Sequence, residues 1–410
     1  MLDVDSLTRL ADRHLTDADE ALRRDYPGMR SGRQPVHTVY VPADRFHGRL
    51  AGEYGAAALA LLDRHEESFR GITGADDAMV ERVRHKLTVE PVEDLRVDFE
   101  DGYGVRSDEE EDDHAAQAVA GFWSSIADEP GLPAFGIRFK SLEQPTRERG
   151  IRTLALVVDG LEDLFHISHH FVVTLPKVTS VDQVEALVLV LEALESRMSG
   201  VRGELRFEIQ VETPQSVLGA DGTALVARMI HAALGRCTGL HYGTYDYSAF
   251  CGIAAGDQSL EHPAADHAKA IMQAAAAGTG VRLSDGSTNI LPVGDQLRSG
   301  WELHHRLVTR ALHRGFYQGW DLHPAQLPTR YAATFAFYRD GFDAAAARLS
   351  DYAAARTGAV ADEPATARAL ADFVLRGRDC GALSADEVSG AGLDEADLAT
   401  LARRPVRGLS

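Results

Sequence analysis

The 410-residue sequence has few cysteines, no excess of cations and no long apolar run, and each absence excludes a class of protein. Cys237, Cys251 and Cys380 form no C-x-x-C pair and have no histidine at zinc-finger spacing. We therefore expect small core residues here, not a disulfide framework or a thiolate metal site. The 62 acidic residues exceed the 42 lysines and arginines, which gives a net charge of −20 and disfavours nucleic acid and anionic membranes as partners. No stretch approaches the ~18 apolar residues that span a bilayer, so we expect a cytoplasmic protein without a membrane partner.

Eight short runs rich in β-branched and aromatic residues alternate with longer stretches of helical periodicity. The runs begin 34 to 58 residues apart, close to the ~30 residues or more of a strand–helix repeat. This alternation is typical of an α/β protein with a parallel sheet, and eight units predict a (β/α)₈ TIM barrel. The runs lie at 36–41, 94–99, 134–140, 171–175, 205–211, 239–243, 280–283 and 319–322.

The chain is longer than eight strand–helix units require. The first interval leaves room for an additional excursion around residues 71–86, and the alanine-rich segment 332–409 exceeds one closing helix. We therefore predict an N-terminal helical extension (1–35), a barrel catalytic domain (36–330) and a C-terminal helical appendage (331–410), with a linker within the appendage at 359–364.

Polar side chains directly follow the predicted strands. Because the C-terminal ends of barrel strands converge on one face, these side chains are expected to meet there. Cations and carboxylates then gather at one mouth, which is more than a structural barrel needs. The residues are Asp44, Arg45, Glu100, Asp101, Arg138, Lys140, Lys177, Glu212, Asp246, Asp285 and His323.

Glu212 and Asp246 follow adjacent predicted strands and are the best metal candidates. Mg²⁺ is often held by one or two carboxylates, with water and ligand oxygens completing its octahedron. The structural alternative is that each carboxylate caps the helix that follows it, Glu212 in VETPQ and Asp246 in YDYS.

Three further residues at the mouth have both a functional and a structural interpretation. Arg138 is suited to bidentate binding of a carboxylate, or is an ordinary barrel arginine. Lys177 could form a Schiff base, bind an anion or ion-pair with a neighbouring carboxylate, and the many carboxylates favour the ion pair. His323, before a proline, could transfer protons or serve as a structural hydrogen-bonding residue.

Taken in order, seven sequence blocks resemble the citrate lyase β-subunit-like family. That family belongs with the HpcH/HpaI aldolases and malate synthases among the pyruvate- and phosphoenolpyruvate-binding barrels. The resemblance covers residues 36–338 and is that of a divergent branch with extended termini. The blocks are VYVPADR (39–45), VDFEDGYG (97–104), IRFK (137–140), TLPKV (174–178), VETPQSVLGA (211–220), GLHYGTYDYSAFCG (239–252) and GWDLHPAQ (319–326).

The resemblance implies Mg²⁺, with Mn²⁺ as the alternative ion, bound by Glu212 and Asp246. It implies that Arg138 meets the carboxylate or oxyanion of a small keto acid or acyl substrate. Asp98, Glu100 and Asp101 match the acidic block that the family places around the water shell of the metal. Arg45 and Lys177 match positions that line the mouth.

These observations predict a Mg²⁺-dependent carbon–carbon lyase, an aldolase that cleaves a small hydroxy or keto acid through an enolate. Arg45, Arg138 and Asp285 are the candidate substrate-binding residues. The proton carrier is left open among metal-bound hydroxide, Asp285, His323 and the Glu100–Asp101 pair.

Two other functions are weighed against the lyase. One is an acyl-CoA lyase or malate-synthase-like condensing enzyme, although no basic cluster near the mouth supports a coenzyme A thioester as substrate. The other is a barrel without catalysis that serves as a binding subunit, which the presence of both metal carboxylates and the arginine opposes. The family resemblance and the alanine-rich tail further predict a homo-oligomer, a trimer or hexamer.

Overall fold

A computed structural model describes residues 3–30, 32–127, 132–165, 170–198, 203–354 and 363–402. Eight parallel strands pair in the order β7-β6-β5-β4-β3-β2-β1-β8. A bridge between Ser284 and Gln318 joins β7 to the residue preceding β8 and closes the barrel, which confirms the (β/α)₈ prediction. The strands are β1 (His37–Pro42), β2 (Leu95–Asp98), β3 (Phe135–Arg138), β4 (Phe171–Leu175), β5 (Arg206–Val211), β6 (Cys237–Tyr242), β7 (Arg282–Ser284) and β8 (Gly319–Asp321).

Helices surround the barrel and continue beyond its last strand. The excursion predicted around residues 71–86 is present as two helices, α3 and α4, inserted between β1 and β2. The helices are α1 (Val4–Asp25), α2 (Leu50–Arg64), α3 (Glu66–Thr73), α4 (Asp77–Val89), α5 (Asp108–Ala127), α6 (Arg147–Gly160), α7 (Glu162–Phe165), α8 (Val181–Glu195), α9 (Pro214–Val217), α10 (Leu225–Ala232), α11 (Thr244–Phe250), α12 (Pro263–Ala276), α13 (Leu297–His313), α14 (Leu327–Ala353), α15 (Pro364–Asp379), α16 (Ala385–Gly390) and α17 (Glu395–Leu401).

The apolar core lies between the strands and the helices. Successive strand residues point to opposite faces of a sheet. In β2, Leu95 and Val97 are buried in this core, whereas the alternate residues Arg96 and Asp98 are buried on the inside of the barrel. This alternation explains why the mainly apolar strand segments of the sequence also contain polar residues.

The barrel interior is charged and not filled with aliphatic side chains. Arg96 of β2 donates two hydrogen bonds of 3.0 Å to Glu208 of β5 and also pairs with Asp94. His241 Nε2 lies 2.9 Å from Glu208, and Trp320 Nε1 donates to His241 Nδ1 at 3.0 Å. Although burial favours the neutral acid, Arg96 and His241 lower the pKa of Glu208. The interior is therefore a network of compensated charges.

The two ends of the chain differ in how they pack. None of the residues of α1 is buried. Helix α14 passes without interruption through residue 330, the predicted boundary between barrel and appendage, and packs against α13 and α15. A second apolar cluster joins the end of α14 to α15, α16 and α17. The predicted linker 359–364 lies mostly outside the described residues, which resume at residue 363.

The structure bears on two expectations drawn from the composition, the burial of the cysteines and the lack of long apolar segments. Cys237 and Cys380 are buried free thiols, but Cys251 is exposed because it follows the last turn of α11 at the barrel mouth. The expectation that all three are core residues was therefore wrong for Cys251. Within the described ranges, no helix has the length and apolarity needed to cross a bilayer.

Candidate active site

Arg138 is the last residue of β3 and is fixed by the neighbouring strand. Its Nε and Nη2 atoms each donate a 2.7 Å hydrogen bond to the carboxylate of Asp98, the residue paired with it in β2. The remaining nitrogen, Nη1, lies 3.4 Å from Gln210 Oε1 and 3.5 Å from Glu100 Oε2. One edge of the guanidinium is thus bonded to Asp98, and Nη1 faces Gln210 and Glu100 at longer distances.

Lys177 links three loops that leave different strands. It has a left-handed backbone, with φ of 51°, which a non-glycine residue adopts at a cost in energy. This conformation aims its N–H at Glu212 Oε1, at 2.7 Å. Its ammonium lies 2.6 Å from Glu100, 2.7 Å from Asp101 and 3.5 Å from Asp246. The sequence expectation that Lys177 forms ion pairs agrees with this geometry.

Glu212 directly follows β5 and is almost completely buried. It accepts hydrogen bonds from the N–H of Lys177 and from the side-chain amide of Gln210, both of which are neutral donors. Within the described chain, no cationic side chain forms an ion pair with it. Burial, opposed by the charge of Lys177, raises the pKa of Glu212 well above its usual value. An uncompensated carboxylate is costly in such a place, and a cation would remove the cost.

The close approach of Gly243 sets the position of Glu212. A β-carbon at residue 243 would lie 2.3 Å from Glu212 Cβ and 2.7 Å from Oε2. Only glycine therefore allows the end of β6 to pass this carboxylate without displacing it.

Neither metal candidate acts as a helix cap. Helix α9 is capped by Thr213, which accepts from the N–H of Ser216, and Glu212 precedes that cap. Helix α11 begins after Gly243 without a side-chain cap, and Asp246 lies in its first turn with a partly exposed carboxylate. The observed bonds therefore do not support the capping alternative.

Glu100 and Asp101 differ in acidity although they are adjacent. Burial and the charge of Asp101 raise the pKa of Glu100 above its usual value. Asp101 is more exposed. Burial raises its pKa, but Lys177, Arg138 and the hydrogen bond with Glu100 together outweigh burial and lower the pKa. A pair of carboxyl groups with separated pKa values is the arrangement in which one can carry a proton while the other stays charged.

The donor set suits a hard divalent cation. In the part of the chain that the structure describes, no three carboxylate, imidazole or thiolate groups form a complete metal site. Glu212 contributes a buried carboxyl oxygen and Asp246 a partly exposed one, and both lie beside Lys177. Two carboxylates, with the other positions left to water and substrate, is an arrangement that Mg²⁺ accepts. The residues present therefore fit this ion.

Four residues predicted at the mouth lie or make their described contacts elsewhere. Arg45 is exposed in a short 3₁₀ helix after β1. His323 Nδ1 accepts from the N–H of Ala325, so it caps the turn after β8, and burial lowers its pKa. Asp285 is buried and paired with Lys269, at 3.1 and 3.2 Å. It therefore lies outside the Lys177 cluster, the group formed by Lys177 with Glu100, Asp101, Glu212 and Asp246. Lys140 bonds to Glu111 and to the carbonyl of Phe99.

Sequence reasoning did not single out two residues beside Arg138. Gln210 contacts both Arg138 and Glu212, and it could have been found because it lies two residues before Glu212 on the same face of β5. Tyr40 of β1 places its ring 5.1 Å below the Arg138 guanidinium, and its buried hydroxyl has no hydrogen-bond partner among the described residues. No sequence signal distinguishes Tyr40 from a core aromatic residue.

A family model described as "Domain of unknown function (DUF6986)" matches residues 15–406. No curated protein matches the sequence. A citrate lyase structure from Burkholderia xenovorans LB400 is 18% identical, with a TM-score of 0.59 over 89% of this chain and 98% of that chain. Malate synthase from Haloferax volcanii is 15% identical, with a TM-score of 0.50 over 91% and 99%.

A citrate lyase β subunit from Mycobacterium tuberculosis, solved with oxaloacetate and magnesium, is 17% identical. Its TM-score is 0.42 over 74% of this chain and 97% of that chain. The likeness to the Burkholderia and Haloferax structures confirms the barrel and, at the level of the fold, the resemblance found in the sequence blocks.

Proposed function

Because the chain belongs to the DUF6986 family, whose description assigns no activity, we propose a function from its site. The protein is a Mg²⁺-dependent carbon–carbon lyase that cleaves a small hydroxy or keto acid through an enolate. One observation carries this proposal. Carboxylates from the loops after β2, β5 and β6 converge on Lys177, beside a buried arginine at the end of β3.

Arg138 is the proposed substrate-binding cation. Its bidentate bond to Asp98 holds the guanidinium rigid, so binding a substrate carboxylate or oxyanion at Nη1 needs little reorganisation. A fixed donor of this kind stabilises negative charge that develops beside a carbonyl when a carbon–carbon bond breaks.

Glu212 and Asp246 are the proposed ligands of Mg²⁺, and Mn²⁺ has the same preference for oxygen ligands. When bound, the ion supplies Lewis-acid stabilisation of the enolate oxygen. Glu212 is held in place by Lys177 N–H and Gln210, and Asp246 by the start of α11.

Glu100 is the proposed proton carrier. The pKa of Glu100 is raised whereas that of Asp101 is lowered, so Glu100 is the better proton carrier of the two. Its Oε2 lies 3.5 Å from Arg138 Nη1, where the substrate carboxylate is proposed to bind. His323 and Asp285 are less suited to this role because their described contacts lie away from the Lys177 cluster.

Proton NMR of pyruvate in deuterated water tests the proposal. With enzyme and Mg²⁺, we expect the methyl signal to be lost as enolate formation exchanges its protons. Glu212→Gln should abolish the exchange, whereas Glu185→Gln, a matched change on the exposed face of α8, should not. Undiminished exchange in Glu212→Gln would contradict the proposed metal site.

A condensing enzyme that uses a coenzyme A thioester is the second candidate. It needs the same enolate and the same metal carboxylates, and the fold match to malate synthase over 91% of this chain favours it. Coenzyme A should then raise the thermal unfolding midpoint, because a ligand that binds only the native state stabilises it. If coenzyme A does not stabilise the protein and the methyl protons of pyruvate do exchange, the lyase is supported and the condensing enzyme is excluded.

A further inference from the structure

A cavity of about 840 Å³ opens at the opposite end of the barrel from the candidate active site. Its lining comes from the N-terminal ends of the strands, including Arg206, which begins β5, and Arg282, which begins β7. Arg206 and Glu212 are six residues apart, about 20 Å along an extended chain. The Arg96–Glu208 ion pair lies between the cavity and the Arg138 site.

The cavity is positively charged in a protein that carries a net charge of −20. Its described lining contains five arginines against three carboxylates. Each carboxylate already has a cation. Glu208 and Asp94 share Arg96, and Glu93 is held by Lys86 and Arg33.

Arg30 and Arg206 have no such carboxylate in the described contacts. Arg30 donates through Nη2 to the carbonyls of Gly235 and Cys237, and Arg282 donates to the carbonyls of Gly32 and Arg33. Arg206 is half-buried and makes no hydrogen bond or ion pair with any described residue. Burial and the nearby charge of Arg206 lower the pKa of Arg30, so the two cations repel each other.

We infer that this cavity is a second ligand site, which binds a small polyanion with two or more carboxylate or phosphate groups through Arg30 and Arg206. Guanidinium groups bind both anions through paired N–H donors. The volume lies within the ~300–1,000 Å³ range of small-molecule sites. An anion there would relieve the repulsion between Arg30 and Arg206, which no described carboxylate does.

The inference does not depend on the proposed lyase activity, because it concerns the other face of the barrel. It is tested by isothermal titration calorimetry of the full-length protein in metal-free buffer with two probes, propane-1,2,3-tricarboxylate and inorganic pyrophosphate. The probe that binds more tightly identifies the carboxylate or the phosphate class.

Arg206→Gln is the informative variant because this side chain has no described partner whose loss would disturb the fold. We expect saturable binding to the wild type and at least tenfold weaker binding to Arg206→Gln. Arg206→Lys, which keeps the charge but loses the paired donors, should fall between them. Arg9→Gln makes the same charge change on exposed α1 and should bind as the wild type does.

Glu212→Gln distinguishes the two faces and should leave the affinity unchanged. Three results would overturn the inference. They are no saturable binding of either probe, equal affinity in Arg206→Gln and wild type, or a loss in Glu212→Gln as large as that in Arg206→Gln.

Discussion

Replacement of Lys269 by methionine separates a structural role for Asp285 from a role in the site. The Lys269 ammonium lies 3.1 and 3.2 Å from the two oxygens of Asp285, and both side chains are 5% exposed. It also donates to the carbonyl of Leu260 at 2.7 Å. Methionine fills a similar volume but leaves a buried carboxylate without its cation.

Breaking one side of a buried ion pair typically costs 3–5 kcal/mol. The two Lys269–Asp285 distances are at the long end for charged hydrogen bonds, and Asp285 keeps the N–H of Gly286 as a donor. We therefore expect Lys269→Met to lower the free energy of unfolding by about 3 kcal/mol, the lower end of that range. Urea unfolding followed by circular dichroism measures this loss.

The double variant Lys269→Met with Asp285→Asn removes the unpaired charge and should recover part of the lost stability. Mg²⁺-dependent exchange should survive in the double variant, measured below its unfolding temperature. The structural reasoning is refuted if Lys269→Met costs less than about 1 kcal/mol, well below the usual buried pair. If the double variant is stable but no longer exchanges the methyl protons of pyruvate, Asp285 is supported as a substrate-binding residue.

Four further outcomes follow from the described contacts. Lys86 and Arg33 outweigh burial and lower the pKa of Glu93 from 4.5 to about 2. The stabilisation that ionised Glu93 provides is therefore present above pH 4.5 and lost as pH falls towards 2. In Glu93→Gln, the free energy of unfolding should depend less on pH between 4.5 and 2. Lys177→Met removes a cation from the carboxylate cluster, so calorimetry should show several-fold tighter Mg²⁺ binding; weaker binding would contradict the proposed placement of the ion. Gly243→Ala should displace Glu212, and Mg²⁺ should then no longer raise the unfolding temperature. Sedimentation equilibrium should give a trimer or hexamer of the 44.4 kDa chain, and a monomer at all concentrations would contradict this.

The barrel could be predicted because seven of its eight strands contain buried β-branched or aromatic residues, and polar residues lie at the strand ends or directly after them. Val97, Ile137 and Val173 mark three such strands by their outward-facing positions. Arg138 ends β3 and Glu212 directly follows β5, and the C-terminal ends of barrel strands meet at one mouth. Their positions in the sequence were therefore enough to predict that both lie there.

Side-chain direction could not be predicted in the same way. Asp285 follows β7 as Glu212 follows β5, yet Asp285 pairs with a lysine of α12, and only the packing of that helix decides this. His323 likewise turns back to cap its own chain. The basic cavity could not be predicted from the sequence, because its arginines are 63 residues or more apart in every pair except Arg30 with Arg33.

The Arg96–Glu208 pair also constrains how the barrel can be divided. The two residues are 112 positions apart and lie on β2 and β5, and each has a further charged or polar partner, Asp94 for Arg96 and His241 for Glu208. A fragment ending between β4 and β5 would keep Arg96 and Asp94 but lose Glu208, while its complement would keep Glu208 without Arg96. In each half, a buried charged side chain would lose one of its partners, which costs free energy of folding. We therefore expect either half of the barrel alone to be less stable than the whole, and exchanged half-barrels to fold only where this ion pair is restored.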